Sequence, residues 1–243
     1  MEYGNLLGNS LKTVMSNFVA YGVATIVLTI GSMLVITAPP LLYGFIIMLV
    51  RGSRQEMVKC MDILDGFRFG NFVRSWKYML FVMIIGVLVA IVAMILLFIV
   101  GLLSFGFIVA AGSFLPESVS IAIAAILYLV VICIVLIPFF FMLYLLPLYV
   151  IKGYDVTDAF SESTRIVKAN IMTSVIISLI VGVLSLMGSL PYYVGLFMEW
   201  PFVLNMLIYT LAVLITMPFS QQILVNTTLE LGSFPEHIDE SDV

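Results

Sequence analysis

The feature that most constrains this chain is the length of its uncharged runs. From Met79 to Leu115 there is no Asp, Glu, Lys, Arg or His, and the same holds from Ser118 to Ile151. Roughly 18 to 20 consecutive apolar residues already cross the ~30 Å of hydrocarbon in a bilayer. No water-facing domain has a use for longer ones, because its surface must carry charge. Only 10% of the 243 residues are charged while 63% are hydrophobic, against about 25% charged in a typical soluble domain. The sequence therefore predicts an all-α, polytopic transmembrane helix bundle.

The formal net charge of −4 hides a segregation. Six of the ten basic residues lie between Arg51 and Lys77, three more are Lys152, Arg165 and Lys168, and Lys12 precedes the first apolar block. The polar stretches around Pro116–Glu117 and between Pro191 and Pro201 contain no Lys or Arg. Lys and Arg in short loops are retained on the cytoplasmic side, so the basic segments are expected there, in a multi-pass protein of the plasma membrane.

Five apolar blocks stand out: Ser16–Val50, Tyr78–Leu115, Ser118–Ile151, Ile171–Leu190 and Phe202–Leu229. The first is interrupted by Pro39-Pro40, and proline both removes a backbone donor and clashes with the preceding turn. That block is thus a compact hairpin of two short spans or one long kinked helix. An internal similarity bears on the choice. Ser10, Lys12 and Asn17 precede the first block in the spacing that Ser163, Arg165 and Asn170 show before the fourth, and Leu64 to Arg68 is a looser version before the second. Pro39 to Gly52, Pro138 to Gly153 and Pro218 to Gly232 each read as a proline-initiated apolar helix that closes at glycine. Three helical-hairpin repeats give six spans with both termini cytoplasmic. The alternative, five spans, leaves Lys12 on the other side.

One domain, residues 1–232, is expected, followed by an acidic tail over 233–243 that holds the only histidine, His237. The N-terminus lacks a basic signal-peptide start, and its apolar block is too long for a cleaved signal; it is expected to stay attached. Ser53-x-x-Glu56 has the form of a capping box, which would start a helix carrying Met57, Val58, Met61 and Leu64 on one face and stopping at Gly66. Ala159, Phe160, Ser163, Ile166 and Val167 form a second such face, with Asp155 or Thr157 as cap and Glu162–Arg165 as a surface pair. Short amphipathic helices beside spans suit the membrane interface.

No catalytic constellation is present: there is no metalloprotease, nucleophile-elbow, phosphate-loop or dinucleotide motif. One histidine excludes most histidine-based chemistry within a single chain. Cys60 and Cys133 read as small apolar fillers, and Asp62/Asp65 and Asp155/Asp158 as partners for nearby Lys and Arg. No enzyme activity, cofactor, metal or nucleic-acid partner is expected. The span centres contain no ionisable group, which argues against proton- or sodium-coupled transport.

Two features remain as candidate sites. Gln222, Asn226 and Glu230 fall at i, i+4 and i+8 on one helical face, with Gln221 beside them. Amides in lipid need partners, so this stripe is either interhelical glue or a face toward a ligand or lipid headgroup. Arg68, Arg74, Lys77, Arg165 and Lys168 form a basic belt; Arg68, Arg74 and Lys77 stand among the aromatics Phe67, Phe69, Phe72 and Trp76. The belt either sets topology or binds anionic lipid, at about 1 kcal/mol per basic residue.

The run Ala38-Pro39-Pro40-Leu41-Leu42-Tyr43-Gly44, then Arg51-Gly52 and Leu64-Asp65-Gly66-Phe67, resembles a pattern in uncharacterised prokaryotic multispan membrane protein families. Pro147-Leu148-Tyr149-Val150 with Gly153, then Ala159-Phe160, Ser163, Ile166, Lys168 and Asn170, is similar to their later half. The pattern also resembles the membrane domain attached to some glycerophosphodiester phosphodiesterases, although this chain has no phosphodiesterase domain. The resemblance implies about six helices and no established activity. Together these readings lead to an expectation of a non-enzymatic membrane protein that binds or organises lipids or membrane partners, other proteins or copies of itself among them. A transporter or permease subunit for a small or amphipathic solute is the alternative.

Overall fold

The computed structural model describes residues 2–111 and 117–232, and all regular structure among them is helical. In chain order the helices are α1 (Tyr3–Ser16), α2 (Phe18–Gly31), α3 (Ala38–Ser53), a 3₁₀ helix (Cys60–Phe67), α4 (Phe69–Ala111), α5 (Glu117–Phe141), α6 (Leu145–Lys152), α7 (Val156–Ala169), α8 (Ile171–Phe197) and α9 (Phe202–Leu231). Four stretches are long and apolar enough to cross a membrane: Phe69–Gly106, Ser118–Lys152, Ile171–Phe197 and Phe202–Leu231. The pair α1 and α2 passes the same test only when taken together, and it is bent by 83°. The all-α membrane architecture is thus present. The expected tail over 233–243 lies outside the described residues.

The chain forms two compact units. The smaller, Met79–Phe141, holds α5 and all of α4 beyond Tyr78. Leu80, Ile84, Leu88, Met94 and Phe98 of α4 are all exposed, and no residue of its most apolar stretch is buried. A helix that is apolar all round has lipid as its natural solvent.

The larger unit combines the described residues of Met1–Tyr78 and Met142–Val243. Its core is α3. Leu41, Phe45, Ile46, Met48, Leu49 and Val50 are buried against Tyr21, Ala24 and Leu28 of α2, Val14 of α1, Ile63 of the 3₁₀ helix, Ile151 of α6 and Val225 of α9. The N-terminal half of α9 pairs with α8, where small residues let the helices close up. A Cβ at Gly188 would stand 3.3 Å from Thr216 Cβ, and one at Gly195 would meet the Asn205 side chain.

Several local expectations change. Ser53 starts no helix; it is the last residue of α3, and its hydroxyl donates to Leu49 O (3.0 Å) rather than serving Glu56. The turn after it carries Gln55 at φ 58, with Gln55 N donating to Gly52 O and Glu56 N to Arg51 O. This is the paired hydrogen bonding that closes a helix around a left-handed residue. The next helix begins at Cys60, where Lys59 N donates to Asp62 Oδ2 (2.9 Å). Because it is 3₁₀, with three residues per turn, its inner face is Cys60, Ile63 and Gly66, while Met57, Met61 and Leu64 are exposed.

Pro39 does open α3, but Pro138 and Pro218 lie inside α5 and α9 and initiate nothing. The α7 face is as read, with Ala159, Ser163, Ile166 and Val167 buried. It packs on α6 within the protein instead of facing lipid, and Tyr144 N donates to Ser163 Oγ at 3.2 Å. Asp155 occupies the cap position without a capping hydrogen bond.

Candidate functional site

The candidate site is an open polar cavity of about 1170 Å³ where α1, the end of α3 and the end of α9 meet. Each wall follows from local sequence. The 83° bend at Asn17 turns α1 across the end of the larger unit, and α1 buries Leu6, Ser10 and Val14, spaced i, i+4, i+8. The turn after α3 supplies Gly52, Ser53, Arg54, Gln55 and Glu56, and α9 supplies Asn226, Leu229 and Glu230. Gly52 is required: a Cβ there would run into the Tyr21 hydroxyl and stand 3.2 Å from Thr13 Cγ2.

Beneath the cavity lies a closed hydrogen-bond network. Gln222 Nε2 donates to Ser53 Oγ (2.6 Å), with Asn226 Oδ1 at 3.1 Å and Leu49 O at 3.3 Å as further acceptors. Ser53 Oγ also reaches Asn226 Oδ1 at 2.6 Å. Asn226 Nδ2 donates to Ser10 Oγ (2.8 Å), and the Tyr21 hydroxyl reaches Gln222 Oε1 (3.3 Å) and Met48 O (3.4 Å). Gln222 is fully buried, Asn226 is half-buried at the cavity wall, and Glu230 is exposed at its rim. The stripe expected on α9 therefore runs from interior to opening. Gln222 and Asn226 both join α9 to its neighbours, and Asn226 and Glu230 line the open cavity. Gln221, about 100° around the helix from Gln222, is half-buried and outside this network.

Comparison with protein-family models, curated proteins and solved structures finds no match. The chemistry must therefore be read from the cavity itself. Lys12 and Arg54 bring two cations, Glu2, Glu56 and Glu230 three carboxylates, and Asn5, Asn9, Asn17 and Gln55 neutral amides. Such a lining can accept a ligand that carries both signs of charge, held by ion pairs and by the amides of the wall.

The residues of the basic belt differ in what they bind within the protein. Arg74 Nη2 donates to Tyr149 O (2.8 Å) and Tyr154 O (3.3 Å), its guanidinium lies 4.8 Å from the Tyr149 ring centre, and the Tyr149 hydroxyl donates to Arg74 O (3.0 Å). Arg74 thus closes the end of α6, beside Gly153 at φ 64. Arg68 pairs with Asp65 (3.0 Å), and Asp62 and Asp65 both pair with Arg51 (3.2 and 2.8 Å), as expected for those carboxylates. Arg165 pairs with Glu162 at 2.6 Å, and that hydrogen bond raises its pKa above the ordinary value. Lys77 and Lys168 are exposed.

Sequence reasoning missed Tyr21, Ser10 and Ser53. Tyr21 and Gln222 are separated by 201 positions. The available signal was a buried-type tyrosine, whose hydroxyl needs a polar partner, preceding an amide-rich last helix.

Proposed function

We propose that this chain is a non-enzymatic integral membrane protein of the plasma membrane that binds lipids or other amphipathic ligands, with the cavity between α1, α3 and α9 as the binding site. The observation that carries the reading is the cavity of about 1170 Å³, with mixed charge at its rim and a satisfied polar floor. Its size suits a headgroup with the first part of its chains. Its charge pattern suits a zwitterionic or anionic group in which Lys12 and Arg54 meet phosphate and the carboxylates meet an amine.

In the same reading both termini are cytoplasmic, since all ten basic residues then lie on that side. Six helices enter the bilayer in three pairs, α2–α3, α4–α5 and α8–α9, preceded by α1, the 3₁₀ helix and α7 respectively. This order is what three hairpin repeats would produce. A five-span arrangement, with Ser16–Val50 as one kinked span or with α1 and α2 as one broken span, would place the termini on opposite sides.

The test is thermal unfolding in detergent with added short-chain phospholipids of different headgroups. A ligand that binds only the folded state raises the midpoint with concentration. A saturable rise with zwitterionic or anionic lipid is expected, and it should be lost in Lys12→Gln/Arg54→Gln. Absence of a rise with every headgroup would remove the reading. A transporter for a small or amphipathic solute would use the same cavity, supported by the way Asn226 and Glu230 line it. Its floor would have to open between Gln222 and Ser53, and solute flux in reconstituted vesicles is the readout that separates the two.

A further inference from the structure

Three short helices of the larger unit, α1, the 3₁₀ helix and α7, make matching contacts. Each lies on a helix that closes beside a glycine: the 3₁₀ helix on α3, α7 on α6, and α1 on α9. A small residue stands at each contact. A Cβ on Gly66 would meet Pro40 O. Ser163 Oγ accepts from Tyr144 N at 3.2 Å, and Ser10 Oγ accepts from Asn226 Nδ2 at 2.8 Å. The two α-helices also end alike, with Asn17 Nδ2 donating to Thr13 O (3.0 Å) and Asn170 Nδ2 to Ile166 O (3.2 Å). Gly66, Ser163 and Ser10 are thus corresponding positions, each followed two residues later by a cation: Arg68, Arg165 and Lys12.

One position breaks the correspondence. Immediately before the small residue stand Asp65, Glu162 and Asn9. Residues three apart on a helix are surface neighbours, so each faces the cation that follows it. Asp65 pairs with Arg68 at 3.0 Å, and Glu162 with Arg165 at 2.6 Å. In both pairs the carboxylate is mostly covered, at 14% and 18% exposure, and neutralises an exposed guanidinium. Asn9 carries no charge to do the same for Lys12.

Both Asn9 and Lys12 line the cavity between α1, α3 and α9. Glu56 and Glu230 line it too, yet among the described residues no carboxylate forms an ion pair with Lys12. An exposed ion pair contributes only about 0–1 kcal/mol, so α1 loses little stability by lacking one. What differs is the chemistry of the wall: the one unit whose cation is not internally neutralised is the unit that borders the cavity.

We infer that position 9 decides whether this cavity takes a phosphate group, because Asn9 leaves Lys12 without the carboxylate that its counterparts have. The inference rests on the cavity and repeat readings above and adds the residue that sets their selectivity. A carboxylate at position 9 would occupy Lys12 and repel an incoming anion. An amide does neither, and it brings two N–H donors. A phosphate has oxygens on several sides, so it can meet Lys12 and Arg54 by charge-assisted hydrogen bonds and Asn9 by a neutral one. A phospholipid headgroup and free phosphate both carry that group.

The test adds the missing carboxylate and leaves both cavity cations in place. Affinities are taken from the rise of the unfolding midpoint of the full-length protein in detergent. The probes are dihexanoyl phosphatidylethanolamine, dihexanoyl phosphatidylglycerol and sodium phosphate. Asn9→Asp and Asn9→Glu copy Asp65 and Glu162, and should weaken binding roughly tenfold or more, as for a lost hydrogen bond to a charged group. Their midpoints without ligand should match wild type, since Asn9 is exposed. Asn9→Ala removes the amide without adding charge and should weaken binding only about threefold. Binding of the lipids alone would put the phosphate on a headgroup, and binding of sodium phosphate as well would show that the free anion suffices; the loss in the acidic variants is expected in both cases. Wild-type affinity in both acidic variants would overturn the role of position 9 while keeping the cavity reading. Equal losses in Asn9→Ala and the acidic variants would overturn it as well, because charge would not be the cause. No binding of any probe by wild type would remove the cavity reading and this inference with it.

Discussion

Gly44 of α3 and Gly66 of the 3₁₀ helix touch backbone to backbone, with Gly66 N only 3.2 Å from where a Cβ on Gly44 would stand. The same Cβ would run into Ile63 O. This contact holds the segment carrying Asp62 and Asp65 against the core helix, where both carboxylates reach Arg51.

The contact predicts an inverted effect of Gly→Ala. In a helix interior alanine is ordinarily favoured over glycine by about 0.5–1 kcal/mol. Gly44→Ala and Gly66→Ala should instead destabilise by roughly 1–3 kcal/mol, because the obstructing atoms are backbone and cannot swing away. Gly86→Ala, with nothing within 4 Å of the added Cβ, should be neutral or mildly stabilising. Thermal unfolding of the three variants in one detergent gives the comparison.

The α9 stripe predicts a gradient. Gln222→Ala leaves the Tyr21 hydroxyl and Ser53 competing for fewer buried partners, a loss of about 1–3 kcal/mol. Asn226→Ala opens onto the cavity, where water can replace it, and should cost about 0.6 kcal/mol, the average for polar contacts between membrane helices. Glu230→Ala should leave unfolding unchanged. Equal losses at all three positions would contradict the wet outer half of the stripe.

Much of this arrangement was legible in the sequence, and what was not has identifiable causes. The long uncharged runs required long apolar helices whatever packed beside them, and Gln222, Asn226 and Glu230 share a face because helical spacing is fixed. Pro39 could open a helix at N1 or N2, but Pro138 and Pro218 could not be told from initiators by local pattern alone. The Ser53-x-x-Glu56 signal failed because α3 runs on through Ser53 and its hydroxyl is held by Leu49 and Asn226. Met57, Val58, Met61 and Leu64 share a face only at a period of 3.6, while the helix begins at Cys60 and winds with a period of three. The Tyr21–Gln222 and Ser10–Asn226 pairs depend on contacts across most of the chain.

Arg74 separates structural from lipid-facing basic residues. Its guanidinium binds two backbone carbonyls and stacks near Tyr149, a geometry that an ammonium does not reproduce. Arg74→Lys should therefore destabilise, and Arg74→Gln should lose about 1.5–3 kcal/mol, as for hydrogen bonds to charged groups. Lys77→Gln should leave unfolding unchanged and act, if at all, on association with anionic vesicles. The measurement is unfolding for all three beside vesicle co-sedimentation.

Topology gives a prediction independent of any site. A reporter active only in the cytoplasm, attached at residue 1 or at residue 243, should be active in both fusions. Activity at 243 alone would put the termini on opposite sides, as the five-span arrangement requires.

The central claim, that the cavity between α1, α3 and α9 holds an amphipathic ligand, is tested most directly by native mass spectrometry of the detergent-purified protein. Wild type should retain lipid-mass adducts, and Lys12→Gln/Arg54→Gln should lose them while unfolding at the same temperature. A bare wild-type chain under conditions that preserve lipid adducts, or equal occupancy in the double variant, would contradict it.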